Sequence, residues 1–270
     1  MLIDTHCHLN IMIKDTFDTH LSDDFTKAAQ EIINDAFASE VTTLINVGTS
    51  AIESANCVKI AQTFPSCFAT LGTHPNDLTV NWKDDIKLYQ DLIAQHPQLI
   101  VGIGEIGLDY HYPQYDKKRQ YAGFEAQISL ALDHNLPIVI HTRDAGQDVL
   151  SVLEHFKCES LRGIIHCFSE DMSFAQRAVD LGFVLGIGGP LTYPKNAVLR
   201  EVFTTVPLEK IVLETDAPFL PPQEFRGKKN SPAHIRTVAH YLAGLRDCSY
   251  DQVARVTTHN AQTLFGLLKS

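Results

Sequence analysis

Two histidines, His6 and His8, lie two residues apart near the start of the chain and follow the apolar residues Leu2 and Ile3. In a β-strand, side chains two residues apart point to the same face, with Cα atoms roughly 6–7 Å apart. Imidazole is the commonest side-chain ligand for zinc-like ions, so two imidazoles held by one strand favour a metal site. A single His-X-His pair also occurs among ordinary core and surface histidines, and the hypothesis therefore needs further ligands.

Other side chains that can bind metal ions occur where further apolar runs end. Each has an ordinary structural interpretation, such as a histidine bound to a backbone carbonyl or an aspartate in a turn. Their recurrence at equivalent positions instead favours one shared metal site. The segments are Gly72-Thr73-His74-Pro75, Gly104-Glu105, His141-Thr142-Arg143, His166 and Glu214-Thr215-Asp216. The predicted metal ligands are His6, His8, Glu105, His141, His166 and Asp216.

These six ligands can hold two divalent ions. A carboxylate has two oxygens, so Glu105 can bridge two ions roughly 3.5–4 Å apart. A water bound by such a pair loses a proton near neutral pH and becomes a nucleophile, and Asp216 can take or relay that proton. Imidazole and carboxylate ligands suit zinc, manganese or iron, and magnesium less naturally. In the predicted division, His6, His8 and Asp216 bind one ion and His141 and His166 bind the other.

Eight short apolar runs predict the strands that position these residues. The runs are continuously apolar, as expected for strands buried on both faces, and amphipathic segments of helical period separate them. The predicted strands are 2–6, 41–47, 67–72, 99–104, 136–141, 163–166, 183–187 and 210–214. The predicted helices include 26–37, 84–95, 117–134, 147–155, 173–181, 233–246 and 251–268.

The alternation of strands and helices predicts an α/β fold, a TIM (β/α)8 barrel. Active-site residues of such barrels gather at the carboxyl ends of the strands, so the ligands are expected to meet at one rim. An open doubly wound sheet is the alternative, but it requires a glycine fingerprint where this chain has His6 and His8. No linker or low-complexity tract divides the chain, and we expect residues 1–270 to form a single domain.

The composition favours a reducing, cytoplasmic compartment. The chain contains no run of about 18 apolar residues and no pattern of a secretory signal, so we expect no membrane association. Its six cysteines include no Cys-x-x-Cys pair, which argues against a disulfide framework. Strand alternation predicts that Cys7 and Cys167 point away from the neighbouring histidines. The net charge of −10 argues against coating of duplex DNA, but permits catalysis on a nucleic-acid end or a phosphate ester.

The candidate residues also carry a family resemblance. The segments D-T-H-C-H-L, G-T-H-P, G-E-I-G-L-D-Y, H-T-R-D-A, H-C-F-S and E-T-D-A-P-F-L, in this order, resemble the TatD family of metal-dependent DNases. They span positions 4–220, and R-G-K-K-N-S-P-A and T-T-H-N-A-Q-T-L-F extend the resemblance almost to the end. The resemblance implies a TIM barrel of the metallo-dependent hydrolase type that cleaves DNA phosphodiester bonds, typically with magnesium. It also implies the same six ligands.

The resemblance places two further residues, His74 and Arg143, near the substrate phosphate. A guanidinium can bind two phosphate oxygens at once, which suits Arg143 for that position. The predicted catalytic residues are therefore Glu105, Asp216, His74 and Arg143. The expected substrate is single-stranded DNA or a DNA end, and no obligate protein partner is indicated.

Three further features of the sequence near the predicted site each allow either a functional or a purely structural interpretation. Arg226, Lys228 and Lys229 form a basic loop that either guides a nucleic-acid backbone or is an ordinary solvated cluster. Ser231 stands where many TatD proteins have a glutamate, so a substrate-side role of that acid is in doubt. The glycine-rich segment 186–190 either offers backbone N–H groups to a phosphate or only lets the chain turn.

Other functions remain open from the sequence. An amidohydrolase or an aminoacyl-tRNA deacylase would use a similar metal site. No lysine ends a central apolar run, whereas amidohydrolases often bridge their metals with a modified lysine, and this difference favours the phosphoesterase. A non-catalytic metal-binding protein is a further alternative, although the chain has the acids that proton transfer requires.

Overall fold

A computed structural model describes residues 1–267 of the chain. Its eight parallel strands form one sheet in which strand order follows the sequence from β1 to β8. Each strand therefore pairs with the next through a crossover, and this confirms the predicted TIM barrel. The strands are β1 (Leu2–Cys7), β2 (Val41–Val47), β3 (Cys67–Leu71), β4 (Ile100–Asp109), β5 (Ile138–Arg143), β6 (Gly163–Ile165), β7 (Phe183–Ile187) and β8 (Ile211–Leu213).

All seven predicted helices are present, and every end except that of the last helix lies within two residues of its predicted position. The last predicted helix ends at residue 268, which lies outside the described residues. Three helices, α1 (Leu9–Lys14), α3 (Ala51–Thr63) and α8 (Ala197–Thr205), were not predicted. The polar residues Glu53, Ser54 and Asn56 of α3 are buried, which hides its apolar stripe from a sequence pattern. No helix within residues 1–267 has the length and apolarity needed to span a membrane. The helices are α1 (Leu9–Lys14), α2 (Phe25–Ala38), α3 (Ala51–Thr63), α4 (Trp82–Gln95), α5 (Lys117–Asp133), α6 (Gly146–His155), α7 (Met172–Asp180), α8 (Ala197–Thr205), α9 (Ile235–Leu245) and α10 (Tyr250–Phe265).

Two strands extend by two or more residues beyond their predicted ends, and both carry candidate ligands. The prediction ended the fourth strand at residue 104 and the fifth at residue 141, but β4 continues to Asp109 and β5 to Arg143. Pairing between the strands continues from Gly107 opposite His141 to Asp109 opposite Arg143. Glu105 and His141 therefore lie inside paired strands, where the sheet restricts their backbones.

Branched apolar side chains fill the barrel below the candidate ligands. Val139 and Ile164 belong to this inner core, and each precedes a histidine, His141 or His166, by two residues. Because side chains two residues apart share a face, both histidines point into the mouth above that layer. The inner core comprises Ile3, Ile45, Val47, Val101, Val139, Ile164, Val184 and Val212 from the strands and Ala261, Leu264 and Phe265 from α10.

The barrel closes where β1 meets the segment after β8. Cys7 and Ala217 form a parallel bridge, and the backbone N–H of Asp216 donates to the carbonyl of His6 at 2.8 Å. Closure of the sheet thereby places Asp216, which follows the last strand, beside His6 of the first strand.

A buried carboxyl group, that of Asp4, connects the two sides of this seam. Asp4 accepts hydrogen bonds from the backbone N–H of Thr215 at 3.0 Å and from its hydroxyl at 2.5 Å. Burial raises the pKa of Asp4 to about 8, although the hydrogen bonds from Thr215 oppose the rise. The same hydroxyl accepts the N–H of Ala217 at 3.2 Å. Thr215 therefore contacts Asp4 of β1 and also orders the segment after β8 that pairs with β1.

Replacing Thr215 with Val should destabilise the protein by about 1–3 kcal/mol, because the Asp4 carboxyl and the Ala217 N–H would each lose a buried partner. Urea denaturation followed by circular dichroism measures the change. Thr204→Val, on the exposed face of α8, is the matched control and should stay within about 0.5 kcal/mol of wild type. Equal stabilities for the two variants would show that the seam does not depend on Thr215.

Candidate metal centre

Three of the predicted ligands, His6, His8 and Asp216, form a compact group beside the closure seam. The Nε2 atoms of His6 and His8 lie 3.1 Å apart. Oδ1 of Asp216 lies 3.3 Å from Nε2 of His8 and 3.7 Å from Nε2 of His6. Nδ1 of His8 lies 3.0 Å from the carbonyl of Val47. In the neutral imidazole, donation to that carbonyl leaves Nε2 of His8 with a lone pair directed at the group.

Glu105 faces two different sets of imidazoles with its two oxygens. Its Oε2 lies 3.4 Å from Nε2 of His6 and 3.8 Å from Nε2 of His8. Its Oε1 lies 2.9 Å from Nδ1 of His141 and 3.7 Å from Nε2 of His166. This is the orientation expected of a carboxylate that bridges two ions.

The separations between these atoms suit a metal ion. Bonds of about 2.0–2.1 Å in a tetrahedral shell set neighbouring ligand atoms about 3.3 Å apart. The three distances within the group of His6, His8 and Asp216 are 3.1, 3.3 and 3.7 Å. Two imidazole nitrogens and a carboxylate oxygen are also a donor set that zinc and manganese bind. The residues present therefore fit a divalent cation.

The predicted division of the ligands between two ions is reproduced only in part. The rings of His141 and His166 are 6.5 Å apart between centroids, and within residues 1–267 they do not share a compact group of ligand atoms. His166 instead groups with His6 and Glu105, and its ring stacks on that of His6 at 3.5 Å between centroids. The assignment of His141 and His166 to one ion stays a prediction.

The electrostatics of the cluster keep its acids ionised. Burial by itself would raise the pKa of Glu105, but the positive field of His166 and a hydrogen bond from His141 hold that pKa well below its usual range. Burial also opposes ionisation of Asp216, but a hydrogen bond from His8 and the positive field of the surrounding histidines together lower its pKa. Metal ions bind the deprotonated carboxylate, so both acids are in the form that binding requires.

A cleft of about 820 Å³ opens above the cluster and contains the two predicted substrate-side residues. Nε2 of His74 lies 3.9 Å from Oε1 of Glu105. Nδ1 of His74 accepts the backbone N–H of Asn76, so Nε2 carries the hydrogen and can donate it. The Arg143 guanidinium lies over the ring of Tyr112, and within residues 1–267 it forms no ion pair. Both side chains are thus placed to meet a ligand in the cleft.

Structural contacts account for three residues near the site, Lys229, Gly186 and Ser231. Lys229 pairs with Asp15 at 2.6 Å, so this part of the basic loop is already neutralised. A Cβ on Gly186 would lie 2.3 Å from a carboxylate oxygen of Glu214, so close approach explains that glycine. Ser231 caps the turn that precedes α9 by accepting the N–H of Ala233.

The prediction for Cys7 is confirmed, and the one for Cys167 is wrong. Cys7 is buried, and its thiol lies 3.6 Å from the carbonyl of Ile45. Cys167 lines the cleft because it follows the end of β6 and has a positive φ of 44°. Strand alternation does not apply there.

Comparison with known proteins decides the family. A family model described as TatD related DNase matches residues 3–266 of the chain. The chain belongs to the TatD family. A relative from Bacillus subtilis (strain 168), named uncharacterized metal-dependent hydrolase YabD, is 36% identical over 98% of this chain and 99% of its own length.

Two further relatives extend the comparison. A protein from Citrobacter rodentium, named 3'-5' ssDNA/RNA exonuclease TatD, is 32% identical over 92% of this chain and 96% of its own length. The crystal structure of YJJV, a TatD homologue from Escherichia coli K12, has a TM-score of 0.89 and 29% identity, with 98% of both chains covered. The chain is therefore a metal-dependent hydrolase of the TatD family.

Two carboxylates that contact the candidate ligands were not among the predicted site residues. Asp109 Oδ2 lies 3.2 Å from Nε2 of His141. Glu214 Oε1 lies 3.1 Å from Nδ1 of His166. A metal-binding histidine commonly donates its other N–H to such a carboxylate, which orients the ring and raises its basicity. Both residues lie within the ligand motifs, Asp109 four residues after Glu105 and Glu214 two before Asp216, but this spacing does not give the ring that each carboxylate contacts.

Replacing Glu214 with Gln should weaken divalent-metal binding about 10-fold or more, because the neutral amide no longer raises the basicity of His166. Isothermal titration with Mn²⁺ measures the affinity without reference to any substrate. Glu201→Gln, exposed on α8, is the control and should bind as wild type does. Unchanged affinity in the Glu214 variant would exclude a role of Glu214 in metal binding.

Proposed function

We propose that this TatD-family hydrolase cleaves phosphodiester bonds of single-stranded DNA at or near an end, using two divalent cations. The observation that carries the proposal is the position of Glu105, whose two oxygens face separate sets of imidazole nitrogens at 2.9–3.8 Å. The name of the Citrobacter relative, a 3'-5' ssDNA/RNA exonuclease, supports the substrate class.

In this proposal the six ligands divide as the sequence predicted, with Glu105 shared between both cations. When bound, the cations, whether magnesium, manganese or zinc, would lower the pKa of a shared water and offset phosphate charge. Asp216 lines the cleft, and its oxygen that does not hold a cation would accept the proton of that water. Nε2–H of His74 would donate to a phosphate oxygen, and the Arg143 guanidinium would bind the phosphate in two places.

The charges in the cleft support a phosphodiester over an amide. Arg143 and Lys195 both line the cleft, although the chain as a whole has a net charge of −10. Lys195 is the one lysine among the described lining residues, and it follows a short 3-10 helix after β7 instead of ending a strand. It is therefore not placed to bridge cations as the modified lysine of an amidohydrolase does.

We also propose that residues 1–270 act as one domain in the cytoplasm. The family model matches residues 3–266, and all eight strands share one sheet. The six cysteines are free thiols, as is usual for proteins of a reducing compartment.

Replacing Glu105 with Ala should abolish cleavage of labelled single-stranded DNA, because both cations lose a shared ligand, while the barrel stays folded by circular dichroism. The exposed Glu125 provides a control, and Glu125→Ala should cleave at the wild-type rate. Near wild-type phosphodiesterase activity in the Glu105 variant would refute the two-ion mechanism.

A substrate panel separates the proposal from its alternatives. Metal-loaded wild-type protein is incubated with labelled single-stranded DNA, a cyclic amide and an aminoacyl-tRNA. Cleavage of DNA alone is the expected result. Turnover of the amide or the aminoacyl ester in place of DNA would assign an amidohydrolase or a deacylase, and turnover of none would favour a non-catalytic metal-binding protein.

Replacing Arg143 with Met should lower kcat/KM on single-stranded DNA by about 10- to 100-fold, because a charge-assisted hydrogen bond is worth about 1.5–3 kcal/mol. Steady-state kinetics on the oligonucleotide gives kcat and KM separately. Arg255→Met removes an exposed arginine outside the cleft and should have no effect. An unchanged rate on DNA in the Arg143 variant would exclude its phosphate-binding role.

A further inference from the structure

Large apolar side chains are exposed in the cleft beside the metal centre. Phe17 is 58% exposed and Phe219 is 38% exposed. Val198 and Leu220 are also exposed large hydrophobic residues, and all four line the same cleft. Scattered exposed hydrophobic residues are common, but several around one concave site indicate a ligand with apolar surface.

The two aromatic rings form a pair that adjoins the candidate ligands. Phe17 and Phe219 are nearly parallel, with 12° between their planes and 6.3 Å between centroids. The ring of Phe219 also meets the ring of His8 edge to face at 5.9 Å. The aromatic pair is therefore within reach of a group attached to a phosphate at the metal centre.

Phe17 lies in the 15–24 loop, between α1 and α2, and a buried polar network fixes this loop to α3. Glu53 Oε1 accepts the backbone N–H of Asp18 at 2.7 Å. The carbonyl of Thr19 accepts from Lys14 Nζ at 2.7 Å and from the amide of Asn56 at 2.8 Å. Lys14 and Glu53 themselves form an ion pair of 2.7 Å with both side chains almost fully buried.

Contacts at the ends of the loop strengthen this attachment. Asp15 pairs with Lys229 at 2.6 Å, and the hydroxyl of Ser50 donates to Asp18 at 2.6 Å. The desolvation cost of burying an ion pair offsets much of its attraction, so this network need not increase the stability of the fold. Its structural effect is to hold an exposed phenylalanine in one place before a ligand arrives, which lowers the entropy cost of binding.

We propose that Phe17 and Phe219 form a stacking site for a nucleobase of the single-stranded substrate, adjacent to the phosphodiester at the metal centre. The inference rests on the proposed function. A nucleotide combines a flat apolar base with a negative phosphate, and the cleft combines these exposed rings with Arg143 and Lys195. Bases stack on aromatic side chains with little dependence on sequence.

The stacking site also gives a reason for a preference for single strands. A base inside a duplex is already stacked on both faces, so only an unpaired or displaced base presents a free face to Phe17. The site would thus select unpaired ends without reading their sequence.

The test compares intact single-stranded oligonucleotides with oligonucleotides that carry an abasic nucleotide at one of the two terminal positions. Wild-type protein should cleave the intact strand about 10-fold faster, by kcat/KM, than at least one abasic strand. In Phe17→Ala that ratio should fall towards one, because the ring face is lost. Phe17→Trp should retain the ratio, and Phe17→Leu, which keeps apolar area without a ring, should lose most of it.

The matched control is Phe37→Ala, which removes an exposed phenylalanine of α2 that does not line the cleft. It should show the wild-type ratio. A wild-type ratio in Phe17→Ala, or equal cleavage of intact and abasic strands by the wild-type protein, would overturn the stacking site and leave the nuclease assignment standing. If the wild-type protein cleaves none of the strands, the proposed function fails and the stacking site fails with it.

Discussion

A single buried carboxylate between imidazoles is the constraint on which the rest of the site depends. Glu105 is ionised in a buried position because histidines from β1, β5 and the end of β6 surround it. An unpaired buried carboxylate would be very costly, and mutual repulsion would separate imidazoles that were all protonated. A divalent cation on each side of Glu105 would satisfy the carboxylate and the imidazole lone pairs together.

The barrel supplies the precision that such a cluster needs. Branched residues fill its lower interior, so the side chains two positions further along the strands are directed to the mouth. The seam between Asp4 and Thr215 fixes Asp216 beside His6 and His8, although more than 200 residues separate them in sequence. Asp109 and Glu214 then orient the histidine rings from outside.

The sequence predicted the barrel, its eight strands and the convergence of six candidate residues because these depend on repeated local patterns and on one rule about strand ends. It did not predict that β4 continues through Glu105, since that extension depends on pairing with β5. Asp109 and Glu214 appeared in the motifs without a role, because an orienting contact depends on ring direction, which a motif does not encode. The position of Phe17 depends on a tertiary network from α3, a helix that the apolar pattern did not reveal.

Anomalous diffraction from crystals of the protein soaked in Mn²⁺ tests the bridging role of Glu105 most directly. Two anomalous peaks are expected, one beside each carboxylate oxygen of Glu105, with His6, His8 and Asp216 around the first. The second peak should contact His141 and His166, which would require these rings to approach more closely than their present 6.5 Å. A single peak, or peaks that do not contact Glu105, would contradict the bridging role and the two-cation mechanism built on it.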